Sequence, residues 1–209
     1  STLMRSSAAS DVYKRQAQTK SAVSYKNPVV DIAMPDPTVI KAADGYFYVY
    51  ATESTRNVPI MKSKDLVEWT YCNTAFTNKT RPRFEPKAGI WAPDINYING
   101  KYVLYYAMSV WGGEQTCGIG VATANSPQGP FTDHGKMFRS NEIGVQNSID
   151  PSLLQYEGRN YLVWGSFRGI YVIELTADGL SIMSGAKKKR IAGTAFEAVY
   201  ILSLIHISE

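Results

Sequence analysis

The sequence predicts an all-β chain built from propeller blades. Three observations carry this: a tyrosine-rich composition, the absence of any long helical stripe, and a hairpin pattern that recurs three times at blade spacing. Phe, Trp and Tyr make up 12% of the 209 residues, with 14 tyrosines, and these are residues that strands favour. The same rings suit a surface that stacks on sugars. An apolar content of 44% with 19% charged residues is the balance of a globular chain, which excludes disorder of the whole.

The recurring pattern is read most directly from three segments: DPTVIKAADGYFYVYAT from Asp36, APDINYINGKYVLYYAM from Ala92 and DPSLLQYEGRNYLVWGS from Asp150. Each has an Asp, an alternating apolar strand, a tight turn containing Gly and a second strand rich in aromatics, the signature of a hairpin. Asp36, Asp94 and Asp150 stand 58 and 56 residues apart. Repeats of this length with several strands each are propeller blades.

The second half of each unit follows the same plan. VPIMKSKDLVEWT, GIGVATANSPQGPFTDHG and GIYVIELTADGLSIMSG each supply a strand, a polar turn and a closing strand, so each unit reads as four strands. A fourth unit opens at AFEAVYI, where Glu197 stands in the place of a blade-opening Asp.

The two ends read differently. Residues 1–16 show neither strand nor helix periodicity, and residues 202–209 follow an apolar stretch without a turn or cap; both resemble translated adapter sequence, with a disordered leader and a genuine C-terminal strand as the plainer readings, leaving 17–201 as the propeller part. On this reading three blades and the start of a fourth are present, and such an open ring is expected to be inactive by itself.

The remaining composition narrows the function. Part of the net charge of +4 comes from Lys187-Lys188-Lys189-Arg190, read as a solvated loop, and no interleaving of basic and aromatic residues points to nucleic acid. Cys72 and Cys117 are too isolated for a zinc site and leave either two thiols or one disulfide. No apolar run reaches the length of a membrane span, and no apolar core of a signal peptide is present.

In a propeller the first strand of each blade lines the channel, so Asp36, Asp150 and Glu197 are expected to meet at the axis. Neighbouring carboxylates shift one another's pKa values and let one stay protonated while another is ionised. Glycoside hydrolysis needs that division between a proton donor and a base or nucleophile. A lone Asp-Pro is usually a turn device, but two at equivalent blade positions followed by an acid at the next are not explained by turns.

The segments MPDPTVI, IWAPDINYINGKYVLYYAMS, GVQNSIDPSLL, WGSFRGIYVIEL and AFEAVYI, in this order, resemble glycoside hydrolase family 43 and its endo-arabinanase-like branch. The resemblance implies a five-bladed β-propeller that hydrolyses α-1,5-linked arabinan with inversion. It assigns Asp36 as general base, Glu197 as general acid, and Asp150 as the residue that raises the acid's pKa and orients it. Trp91 becomes a sugar platform, with a core tryptophan as the plainer reading. Asn147, Ser148, Ser166 and Phe167 fall in site-lining motifs, with turn capping as the plainer reading of the first two. Asp94 shares the repeat position but follows Trp-Ala-Pro, so it either holds a loop or faces substrate.

Two departures from the family pattern stand out. Val199 occupies a position that is often Pro, and the His of a later blade that helps hold a metal, commonly calcium, has no counterpart: His134 reads as a turn residue and His206 lies in the tail. No complete metal site and no cofactor is therefore expected in this chain, with calcium belonging to the complete enzyme. The resemblance further implies a secreted or periplasmic bacterial protein, monomeric when complete, whose partner is a polysaccharide or oligosaccharide. Two alternatives keep the fold: an exo-acting α-L-arabinofuranosidase or β-xylosidase, and a propeller that binds carbohydrate without catalysis.

Overall fold

The computed structural model describes residues 24–201. The adapter-like segments expected at 1–16 and 202–209, with His206, lie outside the described residues. Twelve strands fall into three antiparallel four-stranded sheets, each taken in chain order. The first holds β1 (Thr38–Lys41), β2 (Phe47–Tyr50), β3 (Pro59–Ser63) and β4 (Thr70–Thr74). The second holds β5 (Gly89–Ile98), β6 (Lys101–Ser109), β7 (Gly118–Ala124) and β8 (Thr132–Arg139), followed by one helical turn, α1 (Ser140–Ile143). The third holds β9 (Ser152–Tyr156), β10 (Arg159–Trp164), β11 (Ile170–Glu174) and β12 (Lys189–Ala192). These are the three blades that the repeat predicts.

Turn chemistry sets the hairpin registers. Asn99-Gly100 and Glu157-Gly158 each place two successive residues at positive φ, closing two-residue loops in which Ile98 faces Lys101 and Tyr156 faces Arg159. That is the backbone a right-twisted hairpin requires.

β6 is the middle of the structure and shows why the blades stack. From Tyr102 to Ser109 every residue is buried. Leu104, Tyr106 and Met108 pack with Tyr48, Tyr50 and Ile60 of the first blade, while Val103 and Tyr105 pack with Leu162, Trp164 and Ile173 of the third. The period of two thus serves two interfaces, each large side chain contributing about 1.5–3 kcal/mol of burial. Polar tips are satisfied across blades: Tyr105 donates to the Gly179 carbonyl at 2.8 Å. Gly120 is required on β7, because a Cβ there would lie 2.3 Å from the Tyr106 ring.

Three expectations change. The closing strand of the third blade is Lys189–Ala192, which begins inside the basic run read as a loop, whereas Leu180–Ser184 makes an isolated bridge through Ile182 to Leu175. Charged side chains suit this exposed strand edge, since they oppose further pairing. His134 lies within β8, not in a turn, and its Nε2 is 2.8 Å from Thr123 Oγ1. The blade-opening corner also differs: Asp36, Ala92, Asp150 and Ala198 all have φ between 39° and 57°. Ala92 and Asp150 each precede their turn glycine by eight residues, so Ala92, not Asp94, is the counterpart of the two aspartates, and Glu197 precedes its corner by one residue.

Candidate active site

A cleft of about 850 Å³ opens at the start of the blade-opening strands, lined among others by Asp36, Trp91, Asp94, Asn147, Asp150, Ser166, Phe167 and Glu197. Eight of the nine residues singled out in the sequence therefore reach one place. Ser148 is the exception: it is fully buried, donates to the Val145 carbonyl at 2.8 Å and accepts the Trp164 indole N–H at 3.1 Å. Its hydroxyl is committed to the core beneath the cleft and is not open to a substrate.

Asp36 and Asp150 are the corner residues of the first and third blades, at φ 49° and 57°. A residue with a Cβ in the left-handed region carries strain of order 1–3 kcal/mol, which the packed strands on either side must sustain. Each aspartate is served by a hydroxyl at the end of its own repeat. Thr52 donates to Asp36 Oδ2 at 2.6 Å, and the Ser166 hydroxyl bonds to the Asp150 carboxylate. The second blade has Ala92 and Met108 at the matching positions and so brings no such pair.

Glu197 arrives on the segment after β12. An isolated antiparallel bridge joins it to Ser166, and the Phe167 N–H bonds to the Phe196 carbonyl at 2.8 Å. The Ala198 N–H bonds in turn to the Asp150 carboxylate. Asp150 is thus the centre of the cluster. Burial first, then repulsion from Asp36 and from Glu197, pushes its carboxyl up to about 6, against the pull of the Ser166 and Ala198 donors. Both neighbouring carboxylates thus disfavour the charged form of Asp150.

Asp94 is placed differently. Its side chain is buried, and Oδ2 accepts the Leu153 N–H and the Asn96 amide, both at 2.7 Å. Burial raises its carboxyl to about 6, opposed by those donors and by the Thr38 hydroxyl. Asn147, at φ 56°, donates its amide to the Ser166 carbonyl at 2.8 Å and so braces the loop that holds Asp150 and Glu197.

Aromatic rings line the open side. Trp91 is half-buried, and its ring centroid lies 5.3 Å from that of Trp111, which is 93% exposed. Phe167 is also exposed at the cleft. Trp111 was not singled out in the sequence, nor was Thr52, whose signal is the hydroxyl ending two of the three repeats. Across the rim, Arg168 reaches both Glu114 oxygens at 3.0 Å, joining the Trp111 loop to the Phe167 loop.

No disulfide links the cysteines; Cys72 and Cys117 are free thiols. The donor set does not fit the calcium that the family resemblance brings to mind. Among the described residues no three His, Cys, Asp or Glu side chains are grouped to hold a metal ion, and His134 is engaged by Thr123 on an outer strand. No step below uses a metal.

Stacked antiparallel blades whose opening corners deliver three carboxylates and a tryptophan pair to one cleft define a carbohydrate-active β-propeller. The chain belongs to the family of glycosyl hydrolases family 43, whose model matches residues 25–203. It is 38% identical over 140 residues to the extracellular endo-alpha-(1->5)-L-arabinanase 1 of Bacillus subtilis, a match covering 63% of this chain and 43% of that protein. Among solved structures, it resembles the alpha-L-arabinanase of Cellvibrio cellulosa complexed with arabinohexaose, with a TM-score of 0.68, 28% identity, and coverage of 78% of this chain and 54% of that one. It also resembles an exo-1,5-alpha-L-arabinanase from a bovine ruminal metagenomic library, with a TM-score of 0.63, 30% identity, and coverage of 78% and 57%. The chain therefore spans about half the length of these relatives.

Proposed function

We propose that the whole protein hydrolyses α-1,5-linked L-arabinan with inversion of configuration, cutting within the polymer. The observation that carries this reading is the meeting of Asp36, Asp150 and Glu197 in one aromatic-lined cleft, with Asp150 repelled by both of the others. The arabinanases named above supply the choice of sugar.

In this mechanism Asp36 accepts a proton from the attacking water. The Thr52 hydroxyl on Oδ2 fixes the carboxylate and leaves the other oxygen for that water. Glu197 gives its proton to the leaving glycosidic oxygen. Asp150, held by Ser166 and bonded to the N–H of Ala198, the residue next to Glu197, orients the acid toward the leaving oxygen. An inverting pair must leave room for water, about 6.5 to 9.5 Å between base and acid, and here they come from the first blade and from beyond the third. Trp91 and Trp111 offer ring faces to the apolar sides of furanose units.

The extracellular relative favours secretion for this protein; among the described residues no helix is long and apolar enough to cross a membrane. We place it as a monomer acting on a polymeric substrate. The test is the product profile on linear α-1,5-arabinan of the protein carried to the full length of its relatives. A ladder of oligosaccharides supports internal cleavage, arabinose or a single short product from the start assigns exo action, and no cleavage refutes the substrate.

A further inference from the structure

The second blade contributes no catalytic carboxylate, yet its opening strand carries a buried one. Asp94 sits two residues beyond the Ala92 corner, and its partners lie on the opening strands of both neighbours. The Leu153 N–H of β9 bonds to Oδ2 at 2.7 Å, and the Thr38 hydroxyl of β1 bonds to the same carboxylate. Thr38 also accepts the Ile95 N–H at 3.3 Å. These three strands belong to separate sheets, so no ladder of backbone hydrogen bonds fixes their spacing. Thr38 follows Asp36 by two residues and Leu153 follows Asp150 by three.

We propose that Asp94 is a positioning residue: by tying β1 and β9 to the second blade it sets the separation of Asp36 and Asp150 at the head of the cleft. The proposal rests on the reading of those two aspartates as the working pair. A carboxylate suits the position because it accepts several donors at once, and charge-assisted bonds are shorter and stronger than neutral ones. A buried carboxylate is costly where it serves nothing, and Asp94 is paid for by three donors from three blades. It acts through geometry, since the charges that move the Asp150 carboxyl are those of Asp36 and Glu197, with Asp94 not among them.

The test is the titration of the Asp150 carboxyl, followed by carbon-13 NMR in the 209-residue chain, before and after substitution of Asp94. It requires no turnover, so it is read equally well if the protein acts on a different glycan. With Asp94→Ala the strands are freed, Asp36 moves away, and the Asp150 midpoint is expected to fall toward the ordinary carboxylate range by roughly half a unit or more. Asp94→Asn keeps one acceptor for Leu153 and is expected to give a smaller fall in the same direction. An unchanged Asp150 midpoint in folded Asp94→Ala overturns the proposal, even if the melting temperature drops. Should that variant fail to fold, Asp94→Asn decides: a lowered midpoint supports the role, and an unchanged one overturns it.

Discussion

Thr52 donates its hydroxyl proton to Asp36 Oδ2 at 2.6 Å, and the same hydroxyl oxygen accepts the Ala92 N–H at 2.7 Å. One side chain therefore ties Asp36, the proposed base, to the opening corner of the second blade. Replacing it with Val removes the donor and leaves a backbone N–H unpaired, a loss of about 1–3 kcal/mol. In the full-length protein Thr52→Val is expected to lower kcat roughly tenfold or more with little change in KM, and Thr52→Ser to restore it. Steady-state kinetics on a linear arabino-oligosaccharide checks this; equal losses in both variants would remove the hydroxyl from the account.

Asp150 predicts a pH dependence of stability with a definite sign. Its carboxyl is raised to about 6 in the folded chain from an ordinary value of 3.8, so the folded state binds the proton more tightly. Its contribution is then fully present below pH 4 and is lost as the pH rises through 6. Asp94, also raised to about 6, acts in the same direction. Asp150→Asn relieves the repulsion and is expected to raise Tm at pH 7 by roughly 2–4 °C, the shift that 1 kcal/mol makes in a domain of this size, while abolishing activity. Thermal melts of the two proteins between pH 4 and 8 measure the difference.

The tryptophan pair separates binding from folding. Trp111 is 93% exposed and touches Trp91 at the cleft. Trp111→Ala is expected to leave Tm unchanged and to weaken arabinohexaose binding about three- to tenfold, the scale of one aromatic contact. Calorimetric titration of the full-length protein with that oligosaccharide gives the number.

Among the described residues Glu53 and Arg81 form the most buried ion pair, with side chains 9% and 7% exposed. Burial pushes the Glu53 carboxyl up, but Arg81 and the N–H groups of Asn57 and Ile90 outweigh it, and the carboxyl lies below its ordinary value. Its stabilisation is present above the unfolded pKa and is lost as the pH falls through the folded one. Removing Arg81 alone strands the carboxylate, and Arg81→Ala is expected to cost about 3–5 kcal/mol, read from urea unfolding.

Much of this was legible in the sequence because propeller blades repeat. Asn99-Gly100 and Glu157-Gly158 marked the turns, and Asp36 and Asp150 were found as acids at equivalent places. Asp94 was misaligned because the pattern was anchored on the acid; counting back from the turn glycine leads to Ala92 instead. Ser148 looked available, and only the packing of Trp164 over it reveals that its hydroxyl is spent. The basic run concealed a strand, since edge strands tolerate the charges that loops do. Thr52 and Trp111 lie beyond the ends of second strands, and their roles depend on contacts across blades that spacing along one chain does not encode.

The central claim is that Asp36 and Glu197 act from opposite sides of the scissile bond, with Asp150 between them. Proton NMR of the reducing end first released from linear α-1,5-arabinan by the full-length protein tests it most directly. The β-anomer appearing first, followed by mutarotation, is the result predicted for water activated by Asp36. An initial α-anomer would mean retention through a covalent intermediate and would contradict the roles assigned to all three carboxylates.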